Sequence, residues 1–286
     1  MPTEQTSNII DSQATRLNVL VFGAHPDDCD IKAGGVAALY GQQGHRVKFV
    51  SVTNGDAGHH EMGGGPLAQR RYAEAQAAAA VIGNLEYELL DNHDGELMPT
   101  LENRYQIIRT IREFRPDLIM THRPNDYHPD HRYTSTLVQD AAYMVTVPNI
   151  CALTPHLEKN PVIVYLSDGF MKPSPFTPDV VVGIDAVVEQ KIDMLHCHVS
   201  QFYEWLPYNS GTLDAVPTDA SARRAWLSER LLNRFRATAE KYRDLLIALY
   251  GKEVGTQIEY AEAFEGCEYG ASLTAENIPT LFPFFH

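Results

Sequence analysis

Short apolar segments rich in β-branched residues alternate with longer segments of helical composition through the first half of the chain. A continuous apolar run of four to eight residues is typical of a strand that a sheet buries on both faces. Strands that alternate with helices form right-handed βαβ units, so we expect an α/β fold with a Rossmann-like parallel sheet and helices on both faces. The predicted strands are residues 17–22, 47–52, 87–90 and 118–122, and the predicted helices are residues 31–44, 69–82 and 105–114.

The second half of the chain is less regular. Residues 161–166 and 179–184 are predicted strands, and residues 222–250, rich in Arg, Leu and Ala, are a predicted long helix. Residues 1–16 form a polar leader without the apolar core of a signal peptide. No repeat or low-complexity linker interrupts the remainder, so we predict that residues 17–286 form one domain.

Charge and cysteine usage exclude several classes of partner. The chain has 37 acidic and 23 basic residues, a formal net charge of −14, whereas proteins that bind nucleic acids or anionic membranes present a basic face. No segment approaches the roughly 20 apolar residues that cross a bilayer. The cysteines form no C-x-x-C pair, which favours reduced thiols in a cytoplasmic protein; they are Cys29, Cys151, Cys197 and Cys267.

Two histidine-rich motifs each follow a predicted strand. The first is Ala24-His25-Pro26-Asp27-Asp28 and the second is His128-Pro129-Asp130-His131. In parallel sheets ligands bind beyond the carboxyl ends of strands, so we expect the active site there. His25, Asp28 and His131 would supply three zinc ligands and leave a fourth position for water, which is the arrangement of catalytic zinc. The sequence therefore predicts one Zn²⁺ per chain.

The remaining residues of the two motifs suit proton transfer. Asp27 adjoins a candidate ligand and is predicted to act as the general base. His128 would stabilise an oxyanion or protonate a leaving amine. Asp130 would fix the tautomer of His128 and favour its charged form. Together these roles predict the hydrolysis of an amide.

Each of these residues also has an ordinary structural explanation. A histidine beside a strand is usually a hydrogen-bonded polar residue, and adjacent aspartates at a strand end usually form a turn or a helix cap. Two such motifs at two strand ends favour the metal site. Arg71, Asp94 and His198 are candidates for substrate binding, and the competing explanations are a surface arginine, a plain turn and core packing.

The two motifs resemble those of the PIG-L/LmbE-like family, zinc enzymes that remove N-acetyl groups from glucosamine-containing compounds. The resemblance spans about residues 17–201. It implies zinc ligands at His25, Asp28 and His131 and a base at Asp27, with His128 partnered by Asp130. Secondary matches are Arg71 with Glu74, Asp94 with Gly95, and a late element at Lys191, His198, Ser200 and Gln201.

One position departs from the usual family pattern. Most members have Glu after the aspartate pair, where this chain has Cys29. That variant is similar to the diacetylchitobiose deacetylase branch, whose members assemble as hexamers. The resemblance therefore implies a homo-oligomer.

We expect a cytoplasmic zinc-dependent hydrolase that acts on an N-acetylglucosaminyl small molecule. Another amide, such as a thiol conjugate or a non-sugar N-acyl amine, remains open. Two histidines and one carboxylate also form the facial triad of Fe(II) oxygenases, whose usual fold is an antiparallel barrel. A nucleotide-binding protein is disfavoured, because no G-x-G-x-x-G follows the first strand.

Overall fold

A seven-stranded mixed sheet with helices on both faces lies at the centre of the computed structural model, which describes residues 16–285. The predicted leader, residues 1–16, lies outside the described residues except for its last member. The strands are β1 (Asn18–Gly23), β2 (Arg46–Ser51), β3 (Leu85–Leu89), β4 (Leu118–Thr121), β5 (Val162–Leu166), β6 (Val180–Gly183) and β7 (Ala261–Gly270). The helices are α1 (Asp28–Gln42), α2 (Gly64–Ile82), α3 (Leu101–Phe114), α4 (Pro129–Met144), α5 (Val188–Cys197), α6 (Leu206–Asn209), α7 (Ala220–Lys241), α8 (Arg243–Gly255) and α9 (Ile278–Leu281). A π-helical segment, Ser200–Trp205, joins α5 to α6.

The strand order is β3-β2-β1-β4-β5-β7-β6, and the first five strands in that order are parallel. The chain builds outward from β1 to β3 and then crosses to β4 on the other side of β1. The order therefore reverses between β1 and β4, where Val21 pairs with Met120. Such a reversal opens a crevice at the carboxyl ends of the two strands. The predicted α/β fold class is confirmed.

The sequence analysis predicted a parallel sheet, whereas the observed sheet is mixed. Strand β7 lies antiparallel to both β5 and β6. Its sequence carries Glu262, Glu265 and Glu268 together with Gly266 and Gly270, so it lacks the continuous apolar run that identified the other strands.

The prediction of one long helix over residues 222–250 is also wrong, because two helices span this segment. Helix α7 ends at Lys241 because Tyr242 leaves the helical region, with φ −113° and ψ 28°. Helix α8 is itself interrupted at Gly251, where φ is 79° and ψ is 162°. A composition rich in helix-forming residues indicated helix here but did not locate the break at Tyr242, whereas Gly251 lies one residue beyond the predicted end.

Strand β1 is buried on both faces and holds the two layers together. Val19 and Val21 face α1 and α2, whereas Leu20 and Phe22 face α3 and α4. Successive side chains of a strand point to opposite faces, so a strand covered on both sides needs apolar residues at every position. This double burial fixes the carboxyl end of β1, where the first motif begins.

A buried ion pair joins β7 to the helices that carry the site. Glu262 accepts hydrogen bonds from Lys191 Nζ at 2.5 Å and from the backbone N–H groups of Gly35 and Val36 at 2.8 Å each. Both charged side chains are almost fully buried. Lys191, a secondary match to the family pattern, therefore has a structural partner here and does not line the cleft described below.

The variant Glu262→Gln should be strongly destabilised, because it leaves the buried Lys191 ammonium without its counter-charge. We expect a loss of about 3 kcal/mol or more in the free energy of unfolding, measured by urea denaturation. Glu259→Gln is the matched control: Glu259 pairs with Arg236 at the surface, and its loss should cost less than about 1 kcal/mol. Equal losses in the two variants would contradict this account.

Candidate metal centre and active site

The turn after β1 places the first motif at the start of α1. A Cβ atom at Gly23 would lie 2.8 Å from Asp28 Cβ, so glycine permits the chain to fold back closely at this point. Asp27 has φ 151° and ψ −23°, a sparsely populated conformation for a non-glycine residue. The Asp28 carboxylate accepts the backbone N–H groups of Ala24 at 3.0 Å and His25 at 2.8 Å. These hydrogen bonds fix the Asp28 side chain at the crevice.

The second motif forms the start of α4. His128 is the residue that precedes this helix, and its Nδ1 accepts the backbone N–H of Asp130 at 3.2 Å. Pro129 occupies the first helical position, where its missing N–H would have no partner in any case. His131 follows in the first turn and projects toward α1.

The two loops bring three potential ligand atoms into a compact triangle. His25 Nδ1 lies 3.5 Å from Asp28 Oδ2 and 3.3 Å from His131 Nε2, and Asp28 Oδ2 lies 3.4 Å from His131 Nε2. Tetrahedral zinc with bonds of roughly 2.0–2.1 Å separates its ligands by roughly 3.3–3.4 Å. The three candidate ligands predicted from the sequence therefore come together with a spacing that fits Zn²⁺.

Carboxylates stand behind both histidines of this triangle. His25 Nε2 lies 3.2 Å from Asp130 Oδ2 and 3.2 Å from Asp94 Oδ1, and His131 Nδ1 lies 3.0 Å from Asp126 Oδ1. Such partners hold the proton on the far nitrogen and direct the other nitrogen toward a metal. Asp126 was missed from the sequence, because it lies in the loop before the second motif and outside any recognised pattern.

The predicted partnership between Asp130 and His128 takes a different form. The Asp130 carboxylate contacts His25 and accepts the backbone N–H of Gly95 at 2.7 Å, and only its own backbone N–H reaches His128. Burial and the neighbouring His25 and His131 lower the pKa of His128 by more than the charge of Asp130 raises it. Asp130 therefore orients a candidate metal ligand and does not hold His128 in its charged form.

A fourth histidine, His122, lies against the triangle and was also missed. Its ring stacks on that of His131 with 4.0 Å between centroids, and its Nε2 lies 3.3 Å from Asp28 Oδ2. The same Nε2 accepts the backbone N–H of Ala24 at 3.1 Å, which occupies its lone pair. Burial lowers the pKa of His122 to about 4, so the ring is neutral. We regard His122 as a packing partner of His131.

Arg71 lies beneath the site and bridges two of its carboxylates. Its Nη2 lies 3.5 Å from Asp27 Oδ1 and donates to the carbonyl oxygen of Pro26 at 2.9 Å, and its Nη1 lies 3.6 Å from Asp94 Oδ2. Only 2% of the side chain is exposed, so Arg71 is not the surface residue of the competing explanation. The guanidinium holds Asp27 and Asp94 in place on either side of it.

The two carboxylates that Arg71 joins differ in their proton affinity. Burial raises the pKa of Asp27 to about 6, although the charge of Arg71 opposes this rise. Burial also raises the pKa of Asp94, but the hydrogen bond to His25 and the charges of His25 and Arg71 outweigh it and the pKa falls to about 2. Asp27 is therefore suited to accept a proton near neutral pH, and Asp94 stays ionised.

A cleft of about 330 Å³ opens over these groups. Of the three candidates for substrate binding, Arg71 and Asp94 line the cleft and His198 does not. His198 is fully buried with Nε2 3.2 Å from Asp30 Oδ2, so core packing explains it. Gln201, three residues later, reaches the cleft instead. The described lining residues are His25, Asp27, Asp28, Ile31, Ala57, Gly58, Arg71, Asp94, Gly95, Tyr127, His128, His131, Gln201, Trp205 and Leu206.

Comparison with known proteins agrees with this geometry. A family model described as "PIG-L: GlcNAc-PI de-N-acetylase" matches residues 20–142, which include both motifs. Diacetylchitobiose deacetylase of Thermococcus kodakarensis is 33% identical over 206 residues, 66% of this chain and 74% of that protein. The chain belongs to the PIG-L family. Members of this family are hydrolytic N-deacetylases, and the chain is accordingly an enzyme of that class.

A further relative and a solved structure are also similar to the chain. The 4-oxalmesaconate hydratase of Pseudomonas putida is 24% identical over 211 residues, 67% of this chain and 76% of that protein. The solved structure of N,N'-diacetylchitobiose deacetylase from Pyrococcus horikoshii is similar with a TM-score of 0.64 and 24% identity, covering 87% of this chain and 83% of that chain. The latter likeness shows the fold alone. Within residues 16–285, no helix is both long and apolar enough to span a membrane.

The variant Asp126→Asn should weaken zinc binding, because it removes the charge behind His131 Nδ1 without changing the side chain's shape. We expect a 10- to 100-fold rise in the zinc dissociation constant, measured by competition with a chromogenic chelator. Asp56→Asn is the matched control, since Asp56 makes a similar contact to His93 Nδ1 at 2.6 Å outside the triangle. Unchanged zinc affinity in Asp126→Asn, or equal weakening in the control, would contradict the account.

Proposed function

We propose that the protein is a zinc-dependent hydrolase that removes the N-acetyl group from an N-acetylglucosaminyl small molecule. The observation that carries the proposal is the triangle of His25, Asp28 and His131 at the floor of a cleft that Asp27 and His128 also line. A metal, a base that can pass its proton on to the leaving amine, and an N–H donor for the oxyanion are the components that amide hydrolysis requires.

The triangle would hold one zinc ion through two imidazole nitrogens and one carboxylate oxygen. A zinc ion held in this way polarises the carbonyl group of an amide and lowers the pKa of water toward neutrality. The carboxylates of Asp130, Asp94 and Asp126 contact the two histidines from behind and would balance the charge of the ion.

Asp27 would accept the proton of the attacking water. It adjoins Asp28 in the chain, and its side chain contacts Arg71, which keeps it directed into the cleft. A general base works best when its pKa lies near the working pH, and burial brings Asp27 to that range. The carboxylate would therefore be ionised before the reaction and able to hold the proton afterwards.

His128 would act on the other side of the reacting carbonyl. Its Nδ1 accepts the backbone N–H of Asp130, so the neutral ring carries its proton on Nε2. That N–H would stabilise the developing oxyanion, and the leaving amine would take its proton from Asp27, which holds the one removed from water. The ring packs edge-on against His25 at 4.6 Å between centroids, which keeps it beside the triangle.

The inner cleft favours a neutral reacting group. Asp27, Asp28 and Asp94 line it, and the Arg71 guanidinium already contacts two of them. An acetamide meets this requirement. Trp205 and Tyr127 supply aromatic surface on the outer walls, which suits the apolar face of a sugar ring. The similarity to a diacetylchitobiose deacetylase supports an amino-sugar substrate.

Three statements stay predictions from the sequence: the cytoplasmic location, the single domain, and the homo-oligomer, for which family resemblance implies a hexamer.

The oxygenase alternative is not favoured, since the chain has the PIG-L fold and not an antiparallel barrel. Other amides remain substrates to be tested beside N-acetylglucosaminyl compounds.

The proposal predicts acetate release that depends on zinc. Chelator-stripped protein should lose acetate release from N-acetylglucosamine or diacetylchitobiose, and one equivalent of zinc should restore it. Acetate is the measured product because a relative of this chain is a hydratase, and hydration would consume substrate without releasing acetate. Acetate release that persists in stripped protein would contradict the proposal, as would substrate loss without acetate.

The variant Asp27→Asn should keep its zinc and lose at least about 100-fold in kcat, because an amide cannot accept the proton of water. His131→Ala is the contrasting variant and should lose the metal together with the activity. Zinc content by atomic emission and acetate release are measured on the same samples. A kcat near the wild-type value in Asp27→Asn would remove Asp27 as the base.

A further inference from the structure

A second cavity, of about 330 Å³, lies beside the cleft. Cations line this cavity, whereas three carboxylates line the cleft. Lys32 of α1, Arg234 and Lys241 of α7 line the second cavity together with Tyr242 and the loop after β5. Lys32 is half-buried and donates through Nζ to the carbonyl oxygen of Ser167 at 2.6 Å, whereas Arg234 and Lys241 are exposed. The cavity thus has one anchored cation inside and two at its rim.

These three cations have no carboxylate partner among the described residues. Asp168 is the one acidic residue in the lining, and its carboxylate is held by Arg123 at 3.0 Å. Arg234 lies near enough to Lys32 that its charge, together with the larger effect of burial, lowers the pKa of the ammonium to about 8. Three unpaired cations around one cavity are unusual in a chain with a net charge of −14, and such a concentration of one sign attracts ions of the other.

Helix α1 connects this cavity to the reaction centre. Asp28 and Lys32 are four residues apart on α1, so they lie on the same helix face about 6 Å apart along the axis. Ile31 lines the cleft, and the next residue, Lys32, lines the second cavity. A molecule whose acetamide lies at Asp28 could therefore extend a second group toward Lys32.

We infer that the cationic cavity binds an oxyanion, a phosphate or a carboxylate, carried by the substrate whose acetamide enters the neighbouring cleft. This inference rests on the proposed deacetylase function and specifies its substrate as an anionic N-acetylglucosaminyl compound. Lys32 retains two N–H donors after its bond to Ser167, and Arg234 adds a guanidinium to the lining. Arginine and lysine bind oxyanions through charge-assisted hydrogen bonds.

The test compares kcat/KM for N-acetylglucosamine with that for two anionic derivatives, N-acetylglucosamine 6-phosphate and N-acetylmuramic acid. Wild-type protein should prefer at least one anionic derivative by about tenfold or more. The double variant R234Q/K241Q should lose this preference, mainly through a higher KM. The matched control R230Q/K252Q removes two exposed cations of α7 and α8 that do not line the cavity, and it should keep the preference. A wild-type enzyme without preference, or an equal loss in both double variants, would overturn the inference.

Inorganic phosphate separates an anion on the substrate from an independent effector. It should compete with the preferred anionic substrate and leave the rate on N-acetylglucosamine unchanged. A changed rate on N-acetylglucosamine would overturn the inference that the bound anion belongs to the substrate.

The test also separates this inference from the proposed function. Acetate release from N-acetylglucosamine alone would support the proposed function, whether or not the enzyme prefers an anionic derivative. If no compound releases acetate, the proposed function fails, and calorimetry decides the cavity: saturable phosphate binding lost only in R234Q/K241Q supports an anion site, and its absence in wild type refutes one.

Discussion

The adjacency of β1 and β4 is the constraint on which the site depends. The first motif follows β1 and the second follows β4, and the two strands pair in parallel at the point where the strand order reverses. The carboxyl ends of parallel neighbours meet at one edge, so residues more than 100 positions apart in sequence come within 3.3–3.4 Å. Burial of β1 on both faces makes this placement rigid, because any shift of the strand would disturb both layers of the core.

Electrostatics then assign different roles to neighbouring carboxylates. Asp28 is held by backbone N–H groups, Asp94 and Asp130 by His25, and Asp126 by His131. Asp27 alone of the cleft's carboxylates has its pKa raised, because burial outweighs the charge of Arg71. The geometry thus distinguishes the one carboxylate suited to take up a proton from those suited to balance a metal. The cationic cavity beyond α1 extends this pattern to the part of the substrate that does not react.

Much of the fold and site could be predicted because local patterns carried the information. The apolar runs identified the parallel strands, and the two motifs contained all three members of the ligand triangle together with Asp27 and His128. Strand β7 was missed because its glutamates and glycines hide the apolar pattern, and the partners that stabilise Glu262 there, Lys191 on α5 and backbone N–H groups of α1, are distant in sequence. His122 and Asp126 were missed because they themselves lie outside the two motifs, although both contact His131 of the second motif. The partner of Asp130 could not be predicted either, since the proximity of His25 arises from the tertiary fold.

The measurement that tests the central claim most directly is X-ray absorption at the zinc edge on protein loaded with one equivalent of zinc. The account predicts two imidazole nitrogens and at least one carboxylate oxygen at roughly 2.0–2.2 Å. The spectrum of His25→Ala should show one imidazole fewer, and that of His122→Ala should be unchanged. Zinc that keeps two imidazoles in His25→Ala but loses one in His122→Ala would place the metal on Asp28, His122 and His131, and would contradict the triangle on which the proposed chemistry depends.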